Sequence, residues 1–176
     1  MTDKEYFENH IPYRFNLLIT FRARFADLSE EKRENVRDLF RCSKDISILM
    51  CRFFLEELGI KLLKGKYDLK PNNDNELAKR RVKFKITTID IPSDKNLRDH
   101  IVRVLIAANR AVAHIDDIDV EHPIEKTDDE KSLVECINYI ENCIRKNMYI
   151  SSGYDFDEIM KMRDNNMHRD RLNLNT

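Results

Sequence analysis

Apolar residues recur every three or four positions over most of the chain, which is the spacing of an amphipathic helix. Four such segments stand out, and they predict four helices. The first runs from about Pro12 to Phe25, and the second runs from Ser29 to Leu58 before Gly59, a natural stop. The third begins after a capping Asp94 and continues to residue 115, and the fourth spans about residues 128–148.

The segment between the second and third helices, from Ile60 to Ser93, follows another pattern. From Val82 to Ile86 it alternates apolar and basic side chains, which predicts a β-strand. Residues 87–91 could pair with this strand as a short hairpin or simply be extended. The sequence therefore predicts an all-α fold, an antiparallel four-helix bundle with a long basic insertion between its second and third helices. We expect residues 1–150 to form this single domain, followed by a polar tail, 151–176, with at most a short helix.

The composition agrees with long helices and limits the class of protein. Only 3 Gly and 4 Pro occur among 176 residues, and these are the residues that interrupt helices most strongly. The 31 Lys and Arg nearly balance the 32 Asp and Glu, which argues against a protein that coats nucleic acid through its overall charge. No stretch has the length and apolarity of a membrane span, and the N-terminus lacks the pattern of a secretory signal. We therefore expect a cytoplasmic protein with reduced cysteines.

The near-neutral total conceals two segments of opposite charge. Between Lys61 and Lys85, nine basic residues face three acidic ones, a net charge of +6, and Tyr67 and Phe84 are interleaved as stacking groups would be. This composition suits an RNA-binding surface, and it also suits a solvated loop or a charged edge strand. The candidate RNA-binding residues are Lys79, Arg80, Arg81, Lys83 and Lys85.

The acidic segment, Asp116 to Glu135, contains nine acidic residues and two basic ones. Carboxylates so close together are ligand types that divalent metals prefer, but their spacing follows no recognised metal-binding pattern. We therefore expect neither a metal nor a cofactor.

The third predicted helix is apolar on most sides and carries one narrow polar stripe. At about 100° per residue, the members of this stripe lie within about 40° of Arg103. They are Asn96, Asp99, Arg103, Arg110, His114 and Asp117. The stripe could be the solvent-facing edge of a buried helix, with its arginines paired to acids. It could also be a phosphate site, in which His114 moves a proton and an arginine holds the anion.

The segment Ala108-Asn109-Arg110-Ala111-Val112-Ala113-His114-Ile115 resembles the motif of the HEPN superfamily, which often reads R-N-K-x-x-A-H. The AbiU2-like branch, associated with phage abortive infection, is most similar. Asn109, Arg110, Ala113 and His114 match that form in order. The motif's arginine is replaced by Ala108, and Arg110 stands at the motif's lysine position.

This resemblance implies a four-helix domain, usually a homodimer, that acts in phage defence or a toxin–antitoxin system. In active members, Arg and His from two subunits face each other and cleave RNA without a metal. For this chain it implies an endoribonuclease in which His114 transfers protons, Arg110 and Arg103 stabilise the charge on phosphate, and Asn109 orients these groups. Because Ala108 replaces the motif's arginine, the alternative is a non-catalytic dimeric bundle that binds RNA or a protein such as an antitoxin.

Overall fold

The computed structural model describes residues 1–63, 67–113 and 128–163. In these residues the chain is mostly helical and contains one small antiparallel hairpin, so the helical class is confirmed. None of the helices described is long and apolar enough to cross a membrane. In chain order the elements are α1 (Asp3–Glu5), a π-helical segment (Tyr6–His10), α2 (Ile11–Arg24), α3 (Glu30–Asn35), α4 (Arg37–Glu57), β1 (Ile60–Leu63), β2 (Asp68–Pro71), α5 (Asn75–Lys83), α6 (Lys95–Ala113), α7 (Asp128–Cys143) and a second π-helical segment (Ile144–Ile150).

The core lies between the four long helices, and α4 contacts each of the other three, α2, α6 and α7. Each helix contributes large side chains that are almost fully buried, which is the main source of stability in a helical domain. Cys136 and Cys143 of α7 are both free thiols buried in this core. Representative core residues are Leu18, Phe21, Phe54, Leu55, Ile101, Leu133 and Ile137.

The second predicted helix is not continuous. Val36, with a φ of −124° and a ψ of 26°, separates α3 from α4. Arg33 of α3 donates to the carbonyls of Leu28 at 2.8 Å and Ala26 at 3.0 Å, and to the carboxylate of Glu130 in α7 at 2.9 Å. These contacts fasten α3 to the preceding turn and to α7. The prediction of one helix over 29–58 is therefore wrong, because tertiary contacts of Arg33 override a favourable local pattern.

The insertion contains a hairpin, but other residues form it. β1 pairs with β2, with Ile60 opposite Pro71 and Leu63 opposite Asp68. The strand predicted for residues 82–86 is wrong, because Val82 and Lys83 belong to α5. Asp74 caps this helix by accepting from two backbone amides in its first turn, and good helix formers follow. Val82 is 82% exposed, whereas a half-buried strand would bury it together with Phe84.

Two further contacts fix α6 and the end of the chain. The carboxylate of Asp94 accepts from the amide of Leu97 at 3.1 Å, so the predicted cap of α6 is confirmed. The short helix expected in the tail is present at 156–163, and its Phe156 and Ile159 are buried. The ring of Phe156 packs edge-on against Tyr149, which joins this part of the tail to the core.

Candidate functional site

The polar stripe of α6 changes from exposed to half-buried along the helix. Asn96 and Asp99, near its start, are exposed, whereas Arg103 and Arg110 are half-buried. The two arginines are seven residues apart on one side of the helix, so their Cα atoms are about 10 Å apart along its axis. A partly dry position strengthens the attraction between a guanidinium and an anion. The part of α6 from Arg103 onward is therefore better suited to hold a phosphate than its first two turns.

The residue that replaces the motif's arginine faces the interior. Ala108 is 0% exposed and belongs to the hydrophobic core, whereas Asn109 and Arg110 are half-buried. Residues two apart on a helix are about 200° apart around its axis, so Ala108 and Arg110 lie on nearly opposite sides. An arginine at position 108 would have to enter the core. Arg110 is therefore the residue of this segment that can present a guanidinium at the surface of α6.

His114, the predicted proton-transfer residue, and Asp117 lie outside the described residues. The structure places three of the four predicted catalytic residues on α6, Arg103 near its middle and Asn109 and Arg110 in its last two turns. Their side chains do not share one direction: Arg103 and Arg110 lie on the same side, and Asn109 is about 100° from Arg110.

Another histidine of α6, His100, lies one turn before Arg103. Nδ1 of His100 and the hydroxyl of Ser132 in α7 form a hydrogen bond of 2.9 Å. Ser132 is fully buried, so its hydroxyl holds the imidazole in place and is not itself within reach of a substrate. The pairing joins residues 32 positions apart, and no local sequence pattern could have indicated it.

Arg103 and Ser132 also share a small cavity. It lies between α4, α6 and α7, is lined in addition by Ile48, Val104 and Ala107, and has a volume of about 10 Å³. This is roughly the space of one water molecule. The part of Arg103 that lines the cavity is thus packed between helices, which accounts for its half-buried position and restricts its motion.

The five predicted RNA-binding residues divide into two groups. Lys83 and Lys85 are exposed, and so is Lys79, which forms a surface ion pair with Glu76 at 2.7 Å. Arg81 is only 6% exposed, and its guanidinium donates to the backbone carbonyls of Glu56 at 3.1 Å and Asn72 at 2.8 Å. Arg81 therefore holds the insertion against the end of α4, a position from which it does not reach a ligand.

Arg80, the remaining member of that set, pairs with a buried carboxylate. Its guanidinium bonds to Glu57, which is 1% exposed and also accepts a hydrogen bond of 3.4 Å from the hydroxyl of Tyr6. Burial raises the pKa of Glu57, and the positive charge of Arg80 opposes this rise. Burial and the neighbouring Glu57 also raise the pKa of Tyr6 strongly. The cluster fastens α5 to the end of α4 and to the N-terminal segment.

One side of α5 takes no part in these anchoring contacts and is exposed. Val82, near the end of α5, lines an open groove that continues past Lys85 to the hydroxyl-bearing residues Thr87, Thr88 and Ser151. Lysine ammonium and hydroxyl groups are common ligands of nucleic-acid phosphates. Of the five residues that the sequence predicted for this basic surface, only the three lysines are exposed. The hydroxyl-bearing residues beside them were not predicted.

Within residues 1–63, 67–113 and 128–163, no group of His, Cys, Asp or Glu side chains could hold a metal ion. Most of the acidic segment, including Asp116, Asp117 and Asp119, lies outside these ranges.

No family model, no curated protein and no solved structure matches this chain.

Proposed function

We propose that this protein is a metal-independent endoribonuclease of the HEPN type that acts in phage defence or a toxin–antitoxin system. The observation that carries the proposal is the pair of half-buried arginines, Arg103 and Arg110, on one side of α6. In the sequence, His114 follows Arg110 by four residues, the spacing at which two side chains on a helix are neighbours. An imidazole can transfer the protons in RNA transesterification, and two guanidinium groups can stabilise the charge that develops on the phosphate.

In the proposed reaction, the RNA's own 2′-oxygen attacks the neighbouring phosphorus while the bond from phosphorus to the 5′-oxygen breaks. His114 takes the proton from the 2′-hydroxyl or gives one to the departing 5′-oxygen. Arg110, together with Arg103, stabilises the additional negative charge on the phosphate, and Asn109 orients the reacting groups. The products are an RNA ending in a 2′,3′-cyclic phosphate and an RNA beginning with a 5′-hydroxyl.

Two structural expectations belong to the same proposal. α2, α4, α6 and α7 form an antiparallel four-helix bundle, and two copies of the chain form a homodimer that brings together an Arg and a His from each copy. RNA reaches the site over the surface of α5, where Lys79, Lys83 and Lys85 are exposed. A regulatory protein, such as an antitoxin, would control the cleavage.

Ala108 favours a second candidate function. Because Ala108 is in the core, the guanidinium of Arg110, two positions later, must replace that of the motif's arginine. If Arg110 is not placed to do so, the protein is a non-catalytic dimeric relative that binds RNA or a protein partner.

Cleavage of RNA without metal is the test. Purified full-length protein is incubated with a 5′-labelled single-stranded RNA in EDTA, and the products are resolved by gel electrophoresis. We expect His114→Ala to abolish cleavage and Arg110→Ala to reduce it by about 100-fold, the size of effect seen when one group that stabilises developing charge is removed. Arg103→Ala is expected to have a smaller effect of the same kind.

Lys95→Ala is the matched control, because Lys95 is an exposed cation on the same helix and lies outside the polar stripe. Its cleavage should equal that of the wild type. RNA that stays intact with the wild type but is bound would support the non-catalytic candidate. Intact RNA without binding would contradict both RNA functions.

A further inference from the structure

His100 lies at the border between the polar stripe of α6 and the side of this helix that packs against α7. At about 100° per residue, its side chain is about 60° from Arg103 and about 80° from Arg110 around the helix axis. Along the axis, its Cα atom is about 4.5 Å from that of Arg103 and about 15 Å from that of Arg110. His100 therefore prolongs the row formed by the two arginines toward the start of α6.

A contact with α7 fixes the orientation of the imidazole. Nδ1 of His100 and the hydroxyl of Ser132 are 2.9 Å apart, and Ser132 is fully buried. Because Ser132 also lines the small cavity beside Arg103, the three side chains lie together where α6 meets α7. An imidazole that is held at one nitrogen by a buried hydroxyl keeps a single orientation, as a binding residue must.

The second ring nitrogen of His100, Nε2, is left for a ligand. Among the residues that the structure describes, no protein group forms a hydrogen bond with Nε2, and Ser132 is the polar partner of this side chain. Nε2 lies across the ring from Nδ1, so it is directed away from Ser132. Because His100 is half-buried and not fully buried, part of its ring is open to a ligand.

An anion is the ligand that this nitrogen suits. When the hydroxyl of Ser132 donates to Nδ1, Nε2 carries the ring's hydrogen and donates it to an acceptor. A protonated ring donates from both nitrogens and adds a positive charge. Arg103, one turn further along α6, is a second donor, and its guanidinium is always charged. A phosphate oxygen accepts from both kinds of donor, whereas the guanidinium would repel a cation.

We propose that His100 binds a phosphate of the RNA strand next to the phosphate that is cleaved, and that Ser132 positions its ring. That the anion belongs to RNA rests on the proposed function, whereas the choice of residue rests on the contact with Ser132. With the cleaved phosphate at Arg110, the strand lies along α6 and a neighbouring phosphate reaches His100. Arg103 lies between the two positions along the axis and contacts either phosphate. The site therefore selects strands of several nucleotides over single nucleotides.

Nuclear magnetic resonance of the histidine rings tests the contact directly. The full-length chain, labelled with nitrogen-15 in its five histidines, is titrated with a short single-stranded 2′-O-methyl RNA, which cannot be cut. The signals of His100 are assigned by their loss in His100→Asn. We expect its Nε2 signal to shift with this RNA and to stay unchanged with a strand of neutral methylphosphonate linkages. An unchanged Nε2 signal at saturating RNA, or an equal shift with inorganic phosphate at the same concentration, would overturn the proposal.

Affinities of variants for the same RNA, measured by fluorescence anisotropy, separate binding from folding. Asparagine places its amide where Nδ1 of histidine lies, so His100→Asn keeps a partner for Ser132 but lacks Nε2. We expect it to weaken binding by about tenfold or more, the equivalent of one hydrogen bond to a charged group, with an unchanged midpoint of urea denaturation. Ser132→Ala, which frees the ring, should weaken binding to a smaller extent. Lys95→Ala is the matched control, an exposed cation elsewhere on α6, and should bind like the wild type.

Binding and cleavage together distinguish this proposal from the proposed function. RNA that the wild type cuts, but that His100→Asn binds as tightly as the wild type does, would overturn the His100 site and leave the ribonuclease standing. RNA that shifts the Nε2 signal of His100 but is never cut would contradict the ribonuclease and leave the site standing. A wild type that binds no RNA would overturn both.

Discussion

Replacement of Arg81 by Met separates a structural arginine from an RNA-binding one. The guanidinium of Arg81 donates to two backbone carbonyls, of Glu56 and Asn72, at 3.1 Å and 2.8 Å. Methionine retains most of the aliphatic stem but leaves both acceptors without this donor. Each hydrogen bond from a charged donor contributes about 1.5–3 kcal/mol. We therefore expect Arg81→Met to lower the free energy of unfolding by about 3 kcal/mol.

Urea denaturation followed by far-ultraviolet circular dichroism measures this loss. With a denaturant slope of about 3 kcal/mol per molar, the unfolding midpoint should fall by about 1 M. Lys79→Met is the control, because Lys79 is exposed and its pair with Glu76 is a surface ion pair of little energetic value. Its midpoint should change by less than about 0.2 M, in keeping with a surface substitution.

RNA binding gives the second half of the comparison. Measured by fluorescence anisotropy on a labelled single-stranded RNA, Lys79→Met should weaken binding, and more so at low salt, as expected when a phosphate contact is lost. Arg81→Met should bind like the wild type at temperatures where it is folded. If Arg81→Met leaves stability within 0.5 kcal/mol of the wild type, a limit set by ordinary surface substitutions, or selectively abolishes RNA binding, the structural role assigned to Arg81 is refuted.

Three further predictions concern stability and use the same urea assay. Lys85 has a φ of 54°, a left-handed conformation that favours glycine. Lys85→Gly should therefore raise the free energy of unfolding by about 1 kcal/mol, and a lower free energy of unfolding would contradict this. Gly59 has a φ of 96°, and an added Cβ would lie 2.9 Å from Cγ2 of Thr88, so Gly59→Ala should destabilise by about 2 kcal/mol or more; an unchanged midpoint would refute it. Burial opposes a low pKa for Glu141, but hydrogen bonds from Arg22 and Arg145 lower it. The stabilising effect of this carboxylate is present above the unfolded pKa of about 4.3 and is lost as the pH falls through the lower folded pKa. Glu141→Gln should therefore cost stability at pH 7 and little at pH 3, and a pH-independent loss would count against the ion pairs.

The helices were predictable where local and tertiary preferences agree. The cap at Asp94 and the apolar seam that follows it indicate α6, and both are present in the structure. For Val82–Ile86 the alternating pattern was misleading, because α5 extends into this run and ends at Lys83, and Lys85 then takes a left-handed φ of 54°. The capping Asp74 was the signal that favoured a helix.

The break at Val36 could not be predicted from its neighbourhood. It depends on Arg33 reaching Glu130 of α7, almost one hundred residues later. Likewise, the apolar pattern of α4 did not show that Leu39 and Ile46 are exposed, whereas Phe54 is in the core. Periodicity marks which residues share a side of a helix, but only the packed structure shows which side is covered.

The sequence predicted which residue types form the candidate site, but it did not predict how deeply they are buried or what they contact. The polar stripe indicated Arg103 and Arg110, yet their half-buried position follows from helices that pack on either side of α6. The contact between His100 and Ser132 joins two helices and had no local signal. The basic insertion was read by charge alone, and charge does not distinguish an arginine that binds backbone carbonyls, such as Arg81, from a lysine exposed to solvent.

The most direct test of the proposed ribonuclease compares two oligonucleotides of the same sequence in EDTA, one of RNA and one with every 2′-hydroxyl methylated. The wild-type chain should cut the RNA and leave a 2′,3′-cyclic phosphate, identified by mass spectrometry, while the methylated strand stays intact because its 2′-oxygen cannot attack. His114→Ala should cut neither. RNA cleavage that is equal for wild type and His114→Ala, or no cleavage at all, would contradict the proposed function.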